Sequence, residues 1–220
     1  VSITGVRHDG RFHVDLGDEV VSADQLLVAA GRRTQLSGIG LETVGLADDL
    51  RVIETDERMR AGERLWAVGD ATGKGAFTHV SMYQAAVVVR DLLGEDGPWA
   101  DYRAVSRVTF TDPEVGSVGL SEKQAREAGL PVVVSVVDIP ESSRGWIHQA
   151  GNEGIIKLVA DSERQVLVGA SAVAPSGGEV LGLLAAAVHA EIPIATLRTM
   201  HFAYPTFHRA IEVALERLGG

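Results

Sequence analysis

The stretch Leu65-Trp66-Ala67-Val68-Gly69-Asp70 ends an apolar run on a glycine and a carboxylate. That order suits binding chemistry. Glycine lets a ligand approach the backbone closely, and a carboxylate just beyond a strand can accept a hydrogen bond from a sugar-like hydroxyl. Thr78-His79-Val80 then falls where a helix should begin. The free N–H groups and dipole at a helix start favour phosphate. An ordinary aspartate at a strand-to-turn junction has the same spacing, so this segment does not decide by itself.

Other clusters are weaker. Gly69 to Gly75 resembles a phosphate loop, but that loop needs four residues between its outer glycines and a Ser or Thr after the lysine. Here three residues separate Gly69 from Gly73, and Gly75 follows Lys74. Ser37-Gly38-Ile39-Gly40 begins a G-x-G-x-x-G pattern, but position 43 is Thr. His208 and Glu212 are four apart and would share a helix face with His201 nearby, yet two ligands do not define a metal site. In Tyr204-Pro205-Thr206 the proline fixes a turn, the threonine can cap a helix and the tyrosine offers a hydroxyl. A purely structural tyrosine fits equally well.

The elements that must position these residues follow from periodicity. Arg11 to Leu16 alternates as a strand, and Val20 to Ala23 continues a hairpin. Leu26 to Ala30 and Leu65 to Val68 read as buried strands, with a short strand at Val52 to Thr55 between them. A helix is expected from about His79 to Leu93, with Val80, Ala85, Val88, Leu92 and Leu93 as its apolar positions. Gly94 to Pro98 breaks the chain. Beyond it come a strand at Val108 to Phe110 and a helix with Ser121 and Gln124 as a capping box. A β-branched strand then spans Val132 to Val137, and Gly154 to Ala160 pairs antiparallel with Gln165 to Ala174. Helices are expected from Ser176 to about Ala190, from Pro193 to Met200 and from Phe207 to Leu218. The fold class is α+β: an antiparallel sheet with helices, preceded by partial nucleotide-binding α/β segments.

Bulk properties exclude some functions. A net charge of −10 without a basic cluster argues against nucleic acid. No apolar run reaches the ~18 residues of a membrane helix. The absence of cysteine rules out disulfides, thiolate metal sites and cysteine nucleophiles in this segment. A cytoplasmic setting fits.

Taken in order, the segments resemble the pyridine nucleotide-disulfide oxidoreductase family. Leu26 to Arg33 resembles its apolar strand ending in Gly-Arg, and Leu65 to Asp70 its second flavin motif. Phe77-Thr78-His79 resembles the start of the helix covering the flavin, Val108 to Leu120 the entry to the dimerisation domain, and Ala203 to Thr206 the closing motif. The resemblance implies a tail of an NAD(P)-binding domain at 1–34, a segment of an FAD-binding domain at 35–100, and a dimerisation domain at 101–220 containing a five-stranded antiparallel sheet. It implies FAD and NAD(P)H as cofactors, with Gly31 near the nicotinamide nucleotide, Asp70 on the FAD ribityl chain after Gly69, and Phe77, Thr78 and His79 at the flavin edge. It further implies a homodimer through 101–220, with Tyr204 as the catalytic residue facing the partner's flavin, and a small-molecule electron acceptor.

The chain departs from the family in two ways. The family's two G-x-G-x-x-G loops and its redox-active cysteine pair would lie upstream of Val1, so the chain reads as a C-terminal piece. Alone it is expected neither to hold FAD tightly nor to turn over; an inactive self-association module is the alternative. The closing motif of the dithiol enzymes carries a His–Glu pair, where this chain has Tyr204 and Arg209. A phenol, with an ordinary pKa of about 10, is a poor base near neutrality, which puts dithiol chemistry in doubt.

Overall fold

The computed structural model describes residues 2–219. It begins with a three-stranded antiparallel sheet, β1 (Gly5–His8), β2 (Phe12–Asp15) and β3 (Val20–Ala23). A small hairpin follows, β4 (Arg60–Gly62) and β5 (Leu65–Trp66), and then α1 (Thr78–Leu93). The remaining strands are β6 (Ser106–Thr109), β7 (Glu114–Gly119), β8 (Val132–Asp138), β9 (Ile155–Asp161) and β10 (Val166–Ala174). They form one antiparallel sheet in the order β6-β7-β10-β9-β8. The helices of this part are α2 (Glu122–Glu127), α3 (Ser143–His148), α4 (Gly177–His189), α5 (Ile194–Arg198) and α6 (Arg209–Glu216). The fold is α+β, with a five-stranded sheet where one was expected.

The main core lies between this sheet and α4, α5 and α6. Ile156, Leu158 and Ala160 on β9 and Ala170, Ala172 and Ala174 on β10 face Leu181, Leu184, Ile211 and Leu215. Alternate residues thus form one buried face. Small residues bring α4 close: a Cβ on Gly116 would stand 3.2 Å from the Gly177 carbonyl oxygen and 3.3 Å from Leu181 Cδ2. Buried Ser135 donates to the Ala214 carbonyl at 2.7 Å, joining β8 to α6. On α2 the expected capping box is present, with Ser121 N donating to Gln124 Oε1 at 2.9 Å and Gln124 N to Ser121 Oγ at 3.3 Å.

Three strand expectations in the first hundred residues fail. Leu26 to Ala30 is neither strand nor buried: Leu27 is 89% and Val28 75% exposed. Among the described residues no strand pairs with it, and an unpaired apolar segment has neither a ladder nor a cover. Val52 to Thr55 is also irregular, and only Ile53 is buried there. The strand expected from Leu65 to Val68 stops at Trp66, and Val68 is exposed.

Of the apolar positions expected on α1, Val80 is buried, Val88 is half-buried, and Ala85, Leu92 and Leu93 are exposed. The buried stripe is Val80, Gln84, Val87 and Asp91, while Leu92 and Leu93 are exposed. The spacing is helical, but two members are polar. Asp91 accepts from Arg60 Nε and Nη2, both at 2.6 Å, and from Trp66 Nε1 at 2.9 Å, so it fastens the end of α1 to the β4–β5 hairpin. Among the described residues no helix is long and apolar enough to cross a membrane.

Candidate functional site

Asp70 sits on a single 3-10 turn, Gly69–Thr72, that leaves the hairpin after Val68. Gly69 has φ 76°, a region costly for residues with a side chain. A Cβ there would also lie 3.1 Å from Ser81 Oγ on α1, so glycine lets the turn rest against the helix. The turn is held from three sides. Thr72 Oγ1 donates to the Gly69 carbonyl at 2.8 Å, the Ile53 amide donates to the Ala71 carbonyl at 2.7 Å, and the Gly69 amide donates to Gln84 Oε1 at 2.6 Å.

The Asp70 carboxylate is partly open, with 38% of its side chain exposed, and it pairs with Arg32 Nη1 at 3.0 Å. The same Arg32 nitrogen donates to the Ala76 carbonyl at 2.7 Å. Arg32 therefore ties the segment after Gly31 to the loop between Asp70 and α1. Asp70 edges a cleft of about 790 Å³ that is also lined by Arg32, Arg33, Arg51, Asp48 and Asp49. Guanidinium groups suit phosphate and carboxylates suit hydroxyls, and the cleft carries three of each.

Phe77, Thr78 and His79 form the entry to α1. Phe77 holds the N-cap position in an extended conformation, and its side chain caps nothing. The first amides of a helix have no intrahelical partner, which leaves those of Thr78 and His79 outside the helix ladder. Both residues are exposed. The Phe77 and His79 rings stack with centroids 5.1 Å apart, and His79 Nε2 donates to the Ser106 carbonyl at 2.9 Å. The helix start is thereby tied to β6.

The structure thus gathers Gly69, Asp70, Phe77, Thr78 and His79 around one loop, and Gly31 (φ 113°) lies one residue from the Arg32–Asp70 pair. Tyr204 is not part of this group. It lies before α6, is 67% exposed, and has the Arg209 guanidinium carbon 5.4 Å from its ring centroid. Arg209 also pairs with Glu212 at 3.3 Å. Thr206 does not cap α6 as expected: its hydroxyl donates to the Ala203 carbonyl at 2.7 Å, and His208 holds the N-cap position.

Sequence reading missed three contributors. Arg32 was seen only as half of a Gly-Arg pair. Gln84 is not among the apolar positions expected for α1, although Val80 and Val87 place it on their face at helical spacing. Tyr102 gave no motif; its hydroxyl accepts from Gln84 Nε2 at 3.0 Å and lies 3.2 Å from Met59 Sδ, and burial raises its phenol pKa.

Comparison with known proteins adds the following. The model described as pyridine nucleotide-disulphide oxidoreductase, dimerisation domain, matches residues 105–215. A second model, pyridine nucleotide-disulphide oxidoreductase, matches residues 1–85. The dihydrolipoyl dehydrogenase of Pseudomonas aeruginosa is 33% identical over 99% of this chain and 47% of its own length. The mercuric reductase of Staphylococcus aureus is 31% identical over 90% of this chain and 36% of its own. Among solved structures, the HOCl-induced flavoprotein disulfide reductase RclA of Escherichia coli matches with a TM-score of 0.82 and 26% identity, over 99% of this chain and 51% of that one. LpdA of Mycobacterium tuberculosis shares the fold with a TM-score of 0.84 at 24% identity, over 98% of this chain and 48% of that one. The chain spans less than half the length of the two curated relatives.

Proposed function

This chain belongs to the pyridine nucleotide-disulphide oxidoreductase family and carries its dimerisation domain; we propose that it supplies FAD contacts and the homodimer interface of an FAD-dependent NAD(P)H oxidoreductase. The observation that carries this reading is the Arg32–Asp70 pair at the edge of the charged cleft, next to the start of α1. In this reading residues 1–34 close an NAD(P)-binding domain, 35–100 belong to an FAD-binding domain, and 101–220 form the interface.

Asp70 would accept a hydrogen bond from the ribityl chain, with Arg32 offsetting its charge. The amides of Thr78 and His79 would donate to the flavin edge, while the His79 ring keeps that helix start against Ser106. Gly31 gives the nicotinamide nucleotide room to approach, since it has no side chain to stand in the way. When bound, FAD would supply hydride and electron-transfer chemistry between NAD(P)H and a small-molecule acceptor.

Tyr204 faces the flavin site of the partner subunit and acts by shape and hydrogen bonding. Tyr204 and Arg209 stand where the dithiol enzymes carry their His–Glu pair, which puts a dithiol or disulfide acceptor in doubt. Exposed Phe110 (82%), Trp146 (75%) and Tyr204 (67%) support a covered face on the five-stranded unit, because apolar side chains of this size are usually buried at interfaces. The test is to purify the natural gene product that carries this chain. A yellow dimer that oxidises NADH or NADPH with a small-molecule electron acceptor is expected. A colourless product that binds no added FAD would refute the reading.

A further inference from the structure

Gln84 has 0% of its surface exposed, yet it is polar and lies in the middle of α1. Every hydrogen-bonding end of its amide is engaged. Oε1 accepts the Gly69 amide at 2.6 Å, and Nε2 donates to Thr72 Oγ1 and to the Tyr102 hydroxyl, each at 3.0 Å. Gly69 and Thr72 are the first and last residues of the turn that carries Asp70. One side chain therefore grips both ends of that turn.

A leucine would fill the same space without these demands, because a buried amide is costly unless all its bonds are made. The gain from a glutamine here lies in direction. Thr72 Oγ1 also closes the turn on the Gly69 carbonyl, so the turn survives without Gln84. Its tilt against α1 would not. The buried Gly69 amide would have to find another acceptor by rotating the Val68–Gly69 peptide, and that rotation swings Asp70.

We propose that Gln84 is a positioning residue for the cofactor, aiming the Asp70 carboxylate into the cleft by fixing the Gly69–Thr72 turn against α1. This rests on the reading of Asp70 as an FAD contact. Tyr102 extends the arrangement, since its hydroxyl meets both Gln84 and Met59 and couples the linker before β6 to the same turn. Asp91, seven residues on along the same stripe, marks the contrast. It too is a buried polar group, but it holds the β4–β5 hairpin and lines no part of the cleft.

The experiment compares Gln84→Leu, Gln84→Glu and Asp91→Asn with the wild type. Two quantities are read: hydrogen exchange at the Gly69 amide in this chain, and FAD affinity of the gene product that carries it. Glutamate, held neutral by its burial, keeps one oxygen for the Gly69 amide and can donate its proton to Thr72 Oγ1, whose own proton stays on the Gly69 carbonyl, while the Tyr102 hydroxyl can turn its proton to the glutamate. Gln84→Leu is expected to speed exchange at Gly69 and weaken FAD by about tenfold, the consequence of an unmet buried donor. Gln84→Glu should keep both near wild-type values. Asp91→Asn should lower stability without changing FAD affinity.

Wild-type FAD affinity in Gln84→Leu would overturn the proposal while leaving Asp70 as a cofactor contact. Equal weakening in Gln84→Leu and Gln84→Glu would also overturn it, by reducing Gln84 to packing. A wild-type gene product that binds no FAD would refute the Asp70 reading, and the proposal with it.

Discussion

Replacing Gly69 with alanine separates backbone strain from crowding in the turn that carries Asp70. Gly69 has φ 76°, and Gly94, the C-cap of α1, has φ 67°. In this region an L residue loses roughly 1–2 kcal/mol from its Cβ alone. The surroundings differ. At Gly94 an added Cβ meets nothing within 4 Å, whereas at Gly69 it meets Ser81 Oγ at 3.1 Å. Forcing atoms into a packed site costs about 1–3 kcal/mol more. Gly94→Ala should therefore lose about 1.5 kcal/mol and Gly69→Ala about twice that. For a chain of this size each kcal/mol lowers Tm by roughly 2–4 °C, which gives about 4 °C for Gly94→Ala and about 9 °C for Gly69→Ala. Adding Ser81→Ala to Gly69→Ala removes the Oγ and leaves Ser81 Cβ at 3.8 Å, an ordinary contact. The double variant should melt near Gly94→Ala. The assay is thermal unfolding of the four proteins side by side. Equal melting of Gly69→Ala and Gly94→Ala, or no recovery in the double variant, would refute the close contact between the turn and α1.

Two other outcomes follow from the structure. The Arg60 guanidinium, with Trp66 and Arg58, holds the Asp91 carboxyl down to about 2 from an ordinary 3.8. A depressed folded-state pKa adds stability above the unfolded value and loses it as pH falls through the folded one, so this contribution should vanish between about pH 4 and pH 2. Unfolding measured across that window should show a component that Asp91→Asn lacks; identical acid profiles would contradict the pairing. At the proposed interface, a two-fold axis counts each substitution twice. Phe110, 82% exposed in the single chain, should lie within it. Burying a phenylalanine is worth about 1.5–3 kcal/mol, so Phe110→Glu should weaken the dimer by at least about a hundredfold in sedimentation, and an unchanged dimer would place the interface elsewhere.

Where one face of an element is apolar and its partners are present, the sequence was legible. The five-stranded sheet could be read because β8 is β-branched and β9 and β10 alternate toward a single helical layer. The capping box at Ser121 was readable because its bonds are local. Leu26 to Ala30 was misread because an apolar run becomes a buried strand only with neighbours to cover it, and among the described residues none do. The face of α1 was misread because Gln84 and Asp91 are buried by bonds to residues 12 and more positions away, which periodicity of apolar residues does not record. At the candidate site the loop residues Gly69 to His79 were legible as a contiguous motif. The Arg32–Asp70 pair joins residues 38 apart and was not. Tyr204 was legible as a substitution for histidine, but its place before α6 gives no contact with the cleft within one chain.

The central claim is that Asp70 contacts FAD. It is tested most directly by titrating FAD into the natural gene product and its Asp70→Ala variant and following flavin fluorescence. Removing a charged hydrogen-bonding partner costs about 1.5–3 kcal/mol, so the variant should bind FAD at least about tenfold more weakly while retaining its fold. Equal affinity in the two proteins, or no FAD binding by either, would contradict the account.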